Sequence, residues 1–193
     1  MFESISEKIF ESYKENTIDF FSDDSKEKIS KLVNLIFSTH TNGKKILICG
    51  NGGSAANSLH IANDMLCTLS HSTTNINVLS LAANISTISC IANDYGYDEI
   101  FSRQILSNGD EGDLLIALSG SGNSDNIIKA IKTAKERKIL TAGIIGFDGG
   151  KSKDMLDLPL HFEVHDMQVC EDIQLIFMHM VSKVLFEISK ASE

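Results

Sequence analysis

The 193-residue chain has one proline and no stretch that reads as a linker, so it is expected to form a single domain. Positive charge is also scarce: 17 Lys and Arg stand against 26 Asp and Glu, leaving −9 formal charges and a pI near 5.1. A face that binds phosphate backbones needs clustered cations to displace counterions, so no nucleic-acid partner is expected. No apolar run approaches the roughly eighteen residues of a membrane span. The opening Met1-Phe2-Glu3-Ser4 does not begin a basic segment followed by an apolar core, and a cytoplasmic location without a membrane partner is the expectation. The four cysteines, Cys49, Cys67, Cys90 and Cys170, show no Cys-x-x-Cys spacing and are read as buried thiols rather than disulfides, zinc ligands or a nucleophile.

What the chain does have is 42% hydrophobic residues, enough for a sizeable core, arranged in two alternating periods. Strand-like runs at Lys45–Cys49, Asn77–Leu81, Asp113–Leu118, Leu140–Ile145 and Leu158–Val164 are separated by helical stretches at Ser54–Leu69, Ile85–Asn93, Glu99–Ser107, Asn123–Arg137 and Ser152–Leu156. Such alternation predicts an α/β fold with a five-stranded parallel sheet covered by helices on both faces. Ahead of it lie two helices: one over Phe2–Phe21, then one capped at Asp24-Ser25 with Ile29, Leu32, Val33, Ile36 and Phe37 in one stripe, ended by Gly43. A final helix over Gln168–Ser189 is apolar on more than one side, which predicts burial from two directions. Together with the N-terminal pair it points to helix packing between subunits, with residues 1–42 used in oligomerisation and 43–193 forming the α/β core.

Two glycine-rich loops carry the functional signal. The run Leu118-Ser119-Gly120-Ser121-Gly122-Asn123-Ser124 joins a strand to a helix start, so three hydroxyls and several backbone N–H groups converge on the positive end of a helix. It contains no lysine or arginine, which suits a mobile sugar phosphate better than a nucleotide with magnesium. It is neither a Walker loop nor a dinucleotide fingerprint. The second loop, Cys49-Gly50-Asn51-Gly52-Gly53-Ser54, also joins a strand to a helix. Two such loops at the carboxyl ends of strands are what an open parallel sheet uses to form a ligand crevice.

These loops, with His60, Asn93-Asp94-Tyr95-Gly96, Phe101-Ser102-Arg103, Asn126-Ile127-Ile128-Lys129-Ala130 and Asp148-Gly149-Gly150-Lys151, resemble the phosphoheptose isomerases, which have the sugar-isomerase (SIS) fold. The resemblance implies a flavodoxin-like three-layer sandwich assembled as a homotetramer. It implies conversion of sedoheptulose 7-phosphate to D-glycero-D-manno-heptose 7-phosphate, towards nucleotide-heptoses for lipopolysaccharide and other surface glycans. By the same resemblance Asn51, Gly52 and Gly53, with Ser54, hold the sugar; Asn93 and Asp94 add substrate contacts; Ser119, Gly120, Ser121 and Ser124 cradle the phosphate. His60, Asp64 and Gln174 match a divalent-metal set, with zinc as the expected ion. His60 and Asp64, at i and i+4, face one side of their helix, and Asp64 is also a candidate base.

Three positions depart from the family. Its glutamate is Asp64 here, its arginine one turn later is Thr68, and its catalytic histidine, eight residues after the glutamine, is Ser182. A serine hydroxyl cannot replace imidazole as acid, base or ligand near neutral pH. His179 is the candidate substitute, but at roughly 100° per residue it lies about 140° around the helix from Gln174, against about 80° for Ser182. It would therefore serve only with the helix rotated or across a subunit boundary. His161 and His165 are weaker candidates, and His40 and His71 read as loop or helix-end residues. A second reading comes from Ala55-Ala56-Asn57, which resembles a SIS-fold protein that binds the replication initiator DnaA; that reading makes the chain a non-catalytic sugar-phosphate-binding or regulatory module.

Overall fold

A computed structural model describes residues 2–69 and 76–191. Helices α1 (Phe2–Phe20) and α2 (Asp23–Thr41) precede β1 (Ile46–Gly50), α3 (Gly53–Leu69), β2 (Val78–Ser80) and α4 (Ile85–Tyr95). After a 3₁₀ turn (Tyr97–Glu99) come α5 (Ser102–Asn108), β3 (Leu114–Ser119), α6 (Asp125–Glu136), β4 (Leu140–Ile145), α7 (Gly150–Lys153), β5 (Leu158–His161) and α8 (Met167–Ala191). The five strands are all parallel in the order β2-β1-β3-β4-β5. The chain runs outward from β1 to β2 and then restarts at β3 on the other side, so the β1/β3 boundary is the topological switch point where open α/β sheets bind ligands.

Burial on both faces explains why β1 and β3 are unbroken apolar runs. The pleat then sorts their side chains. Ile46, Ile48, Leu114, Ile116 and Leu118 join the layer under α2, α3 and α8, while Leu47, Cys49, Leu115 and Ala117 join the layer under α5 and α6. Burying each such Leu or Ile stabilises the fold by about 1.5–3 kcal/mol. Helix α8 is packed as its composition predicts: Val169, Ile173, Phe177, Val181 and Leu185 are all buried in the first of these layers.

Several boundaries differ from the sequence expectation for identifiable reasons. Ser22, not Asp24-Ser25, caps α2, its hydroxyl accepting from Ser25 N–H. Strand β5 stops at His161 because a tight turn interrupts the ladder: Phe162 N–H reaches Ile145 O and Phe147 N–H reaches Val164 O, but between them Val164 N–H turns back to Phe162 O. Helix α6 begins at Asp125 rather than Asn123, which leaves Gly120–Ser124 as loop after β3. Cys49 and Cys170 are buried as expected, and burial pushes the Cys49 thiol up to about 12. Cys67 and Cys90 are exposed on outward helix faces, against the expectation. Thr68 and His71 lie outside what is described of the side chains.

Candidate active site

Both glycine-rich loops lie at the switch point and line one cavity of about 210 Å³, to which Asn51, Gly52, Ser54, Ser119, Gly120, Ser121, Ser124, Met167 and Glu171 contribute. The loop after β3 is braced from below. Gly122 has φ +64, and a Cβ there would overlap Gly149 O, so only glycine fits. Gly122 O accepts from Ser152 N–H at 3.0 Å and from Ser152 Oγ at 2.7 Å, and Asn123 Oδ1 accepts from Lys151 N–H at 3.1 Å. This is the use of the Asp148-Gly149-Gly150-Lys151 motif.

The hydroxyls of the loop are spent in a way that leaves donors for an anion. Ser119 Oγ accepts from Gly122 N–H at 3.0 Å and Ser121 Oγ from Asn123 N–H at 3.2 Å, so each keeps its own proton to give. Ser124 caps α6 without a side-chain cap hydrogen bond, and the first intrahelical donor is Ile128 N–H to Ser124 O. The amides of the first turn are therefore unspent, as at any helix N-terminus. None of the lining residues is a lysine or arginine.

Glu171, on the first turns of α8, was not singled out from the sequence. Its carboxylate sits against Gly53, where any Cβ would overlap it, and it lines the cavity. A carboxylate is an acceptor only, so it can take sugar hydroxyls and not phosphate oxygens. From Gly53 and Glu171 a polar seam runs between α3 and α8. Asn57 Nδ2 donates to Glu171 O at 2.8 Å and to Gln174 Oε1 at 3.2 Å. Gln174 is fully buried and its Nε2 has no hydrogen-bond partner.

Two turns along α3 the seam ends in a cluster. His60 Nε2 and His179 Nε2 are 3.0 Å apart, and each is 3.3 Å from Asp64 Oδ2. These three atoms outline a nearly equilateral triangle. A tetrahedral zinc ion with bonds of about 2.0–2.1 Å puts neighbouring ligand atoms roughly 3.3 Å apart, so the triangle has the size of one face of that tetrahedron. Two imidazole nitrogens meeting at 3.0 Å need a proton or a cation between their lone pairs. The donor set of two nitrogens and one oxygen suits zinc with a fourth position open.

Among protein families, the SIS domain matches residues 10–146. A phosphoheptose isomerase of Clostridium acetobutylicum is 40% identical over 159 residues, covering 82% of this chain and 81% of that protein. The chain belongs to the phosphoheptose isomerase family. A second family member, from Helicobacter pylori, is 35% identical over 181 residues and 94% of both chains. The solved phosphoheptose isomerase of Neisseria gonorrhoeae superposes with a TM-score of 0.83 at 31% identity, over 95% of this chain and 97% of that one.

Against the expectations drawn from that family, the single chain brings together Asn51, Gly52, Ser54, Ser119, Gly120, Ser121 and Ser124 around one cavity, with Gly53 beside Glu171. It brings His60, Asp64 and His179 together without rotating α8 or crossing to another chain. Ser182 is buried, whereas His179 stands half-exposed on the flank and its longer side chain reaches α3. Gln174 is buried beside the seam, its Oε1 accepting from Asn57 one turn before His60 on α3. Asn93 and Asp94 are exposed at the end of α4, bonded to each other and outside the cavity lining. His161 Nε2 is held by Phe147 O and His165 packs edge-on against the Phe147 ring, so neither approaches the cluster. A usable signal for Glu171 was its place three residues before Gln174, on the same helix face.

Proposed function

We propose that this chain isomerises sedoheptulose 7-phosphate to D-glycero-D-manno-heptose 7-phosphate, with the phosphate in the serine loop and the carbonyl end at His60, Asp64 and His179. The observation that carries this reading is the three-atom cluster at the far end of a polar seam leading from the cavity. A non-catalytic binding module has no use for such a cluster, and the relatives described above are isomerases. His60 lies seven residues beyond Gly53 on α3, a rise of about 10 Å, which suits a ligand whose phosphate and carbonyl lie at opposite ends of an extended sugar.

The reaction moves a proton from C1 to C2 and needs a base, a proton donor for the carbonyl oxygen, and local positive charge. Asp64 uses Oδ2 in the cluster, which leaves Oδ1 to carry the proton between the carbons. His179, through Nδ1, the ring nitrogen not spent in the cluster, gives a proton to the C2 oxygen and takes the one that leaves the C1 hydroxyl. His60, Asp64 and His179 would hold a zinc ion, which when bound supplies Lewis-acid polarisation of the carbonyl oxygen. Glu171, an acceptor, orients sugar hydroxyls beside Gly53. Incubating the zinc-supplemented protein with sedoheptulose 7-phosphate should yield the aldose phosphate; absence of any aldose would refute the assignment.

The active species is proposed to be a cytoplasmic homotetramer, with sites completed by residues such as Asn93 and Asp94 from a neighbouring chain. Helix α1 supports this, because Phe2, Ile5, Ile9, Phe10 and Ile18 are exposed along it, a run of apolar side chains longer than a monomer usually leaves in water. Among the described residues no helix is long and apolar enough to cross a membrane. Sedimentation at micromolar concentration should show an oligomer, and a monomer would contradict the assembly.

A further inference from the structure

The side chain of Asn51 is bonded on nearly every side before any ligand arrives. Its Nδ2 donates to Asn126 Oδ1 at 2.8 Å, and its Oδ1 accepts from Asn126 Nδ2 at 2.8 Å. The same Oδ1 also accepts from the Tyr97 hydroxyl at 3.0 Å. A carboxamide has two acceptor lone pairs and two N–H donors. Both lone pairs of Asn51 and one of its N–H groups are therefore used. What remains is a single N–H on a residue that lines the cavity.

One partner stands on α6, the helix that follows the serine loop, and the other is tied to that helix. Asn126 is buried in the first turn of that helix, two residues after Ser124. Tyr97 belongs to the 3₁₀ turn, and Lys129 of α6 grips this turn through Asp98 and Glu99. The ion pair with Asp98 raises the Lys129 ammonium above its ordinary range and lowers the Asp98 carboxyl. The Ser102 hydroxyl, ahead of Lys129, lowers Glu99 in the same direction. The loop after β1 is thus fastened by side chains to the first turn of α6 and to the 3₁₀ turn.

We infer that Asn126 and Tyr97 are positioning residues that make Asn51 a one-way donor in the cavity, so that it binds an oxygen atom of the sugar phosphate offering a lone pair and cannot accept from a sugar hydroxyl. This rests on the proposed sugar-phosphate site. Removing the Tyr97 hydroxyl gives Asn51 a spare lone pair and lets the carboxamide tilt; removing the Asn126 amide releases it altogether.

The test is a double-mutant cycle. Tyr97→Phe, at an exposed position, should raise KM for sedoheptulose 7-phosphate about three- to tenfold with little change in kcat, the scale of one hydrogen bond. Asn126→Ala should raise it further. In an Asn51→Ala background both changes should become silent, which a purely structural role for Asn126 or Tyr97 would not produce. The same cycle is read on the dissociation constant of sedoheptulose 7-phosphate by calorimetry, so a wild type that binds without turnover would count against the isomerase reading and leave the cycle interpretable. An unchanged KM in Tyr97→Phe, or equal losses with and without Asn51, would overturn the inference.

Discussion

At the end of the site proposed for the phosphate, donors come from a continuous run, Leu118 to Ser124, and from the first turn of the helix that follows it. At the other end, the groups proposed to react are side chains on α3 and α8, with His60 and His179 separated by 119 residues of chain. The first end is made largely of backbone, set by a parallel strand, a left-handed glycine and a helix start. The second exists only because α3 and α8 pack in one register, through Gly53 against Glu171 and Asn57 against Gln174. An anion can be held by dipoles that any sequence carries, given the right turn. Moving a proton on carbon needs titratable side chains, and those must be delivered by tertiary packing.

If the division of labour is real, the two ends should fail differently. The largest effect is expected from Asp64→Asn, which keeps size but removes the base: turnover should fall by about 10² or more, while calorimetry still detects sugar-phosphate binding. Equal losses of binding and turnover would merge the two ends into one. Next comes Ser121→Ala with Ser124→Ala, which removes two hydroxyl donors and should weaken sugar-phosphate binding by roughly 1–3 kcal/mol with the fold intact and kcat largely kept. Unchanged affinity in the folded double variant would dismiss the cradle.

The same contrast explains what could be read from the sequence. The sheet, its helices and the Ser119–Ser124 loop were legible because each is encoded in neighbouring residues with a recognisable period or turn chemistry. The meeting of His179 with His60 and Asp64 within one chain was not, because helical spacing from Gln174 measures an angle on one helix and says nothing about how far a flanking imidazole reaches across to another. Glu171 was missed for a related reason: its contact with Gly53 depends on the approach of α8 to α3, and glycine at that position admits it.

Ser182→His sharpens the point with a smaller effect. By the resemblance the family's imidazole belongs there, but in this chain position 182 is buried and a ring, that of His179, already meets His60 and Asp64. Adding an imidazole to a packed position should cost about 1–3 kcal/mol of stability and give no gain in turnover. A more active Ser182→His variant of unchanged stability, by thermal denaturation, would mean that His179 does not fill the role.

The central claim is that His60, Asp64 and His179 of one chain form the cation-binding face, with Gln174 outside it. Zinc stoichiometry and affinity, measured by equilibrium dialysis with elemental analysis, test this without reference to turnover. His179→Ala should lose tight zinc binding while Gln174→Ala retains it near the wild-type level; zinc retained by His179→Ala and lost by Gln174→Ala would contradict the account.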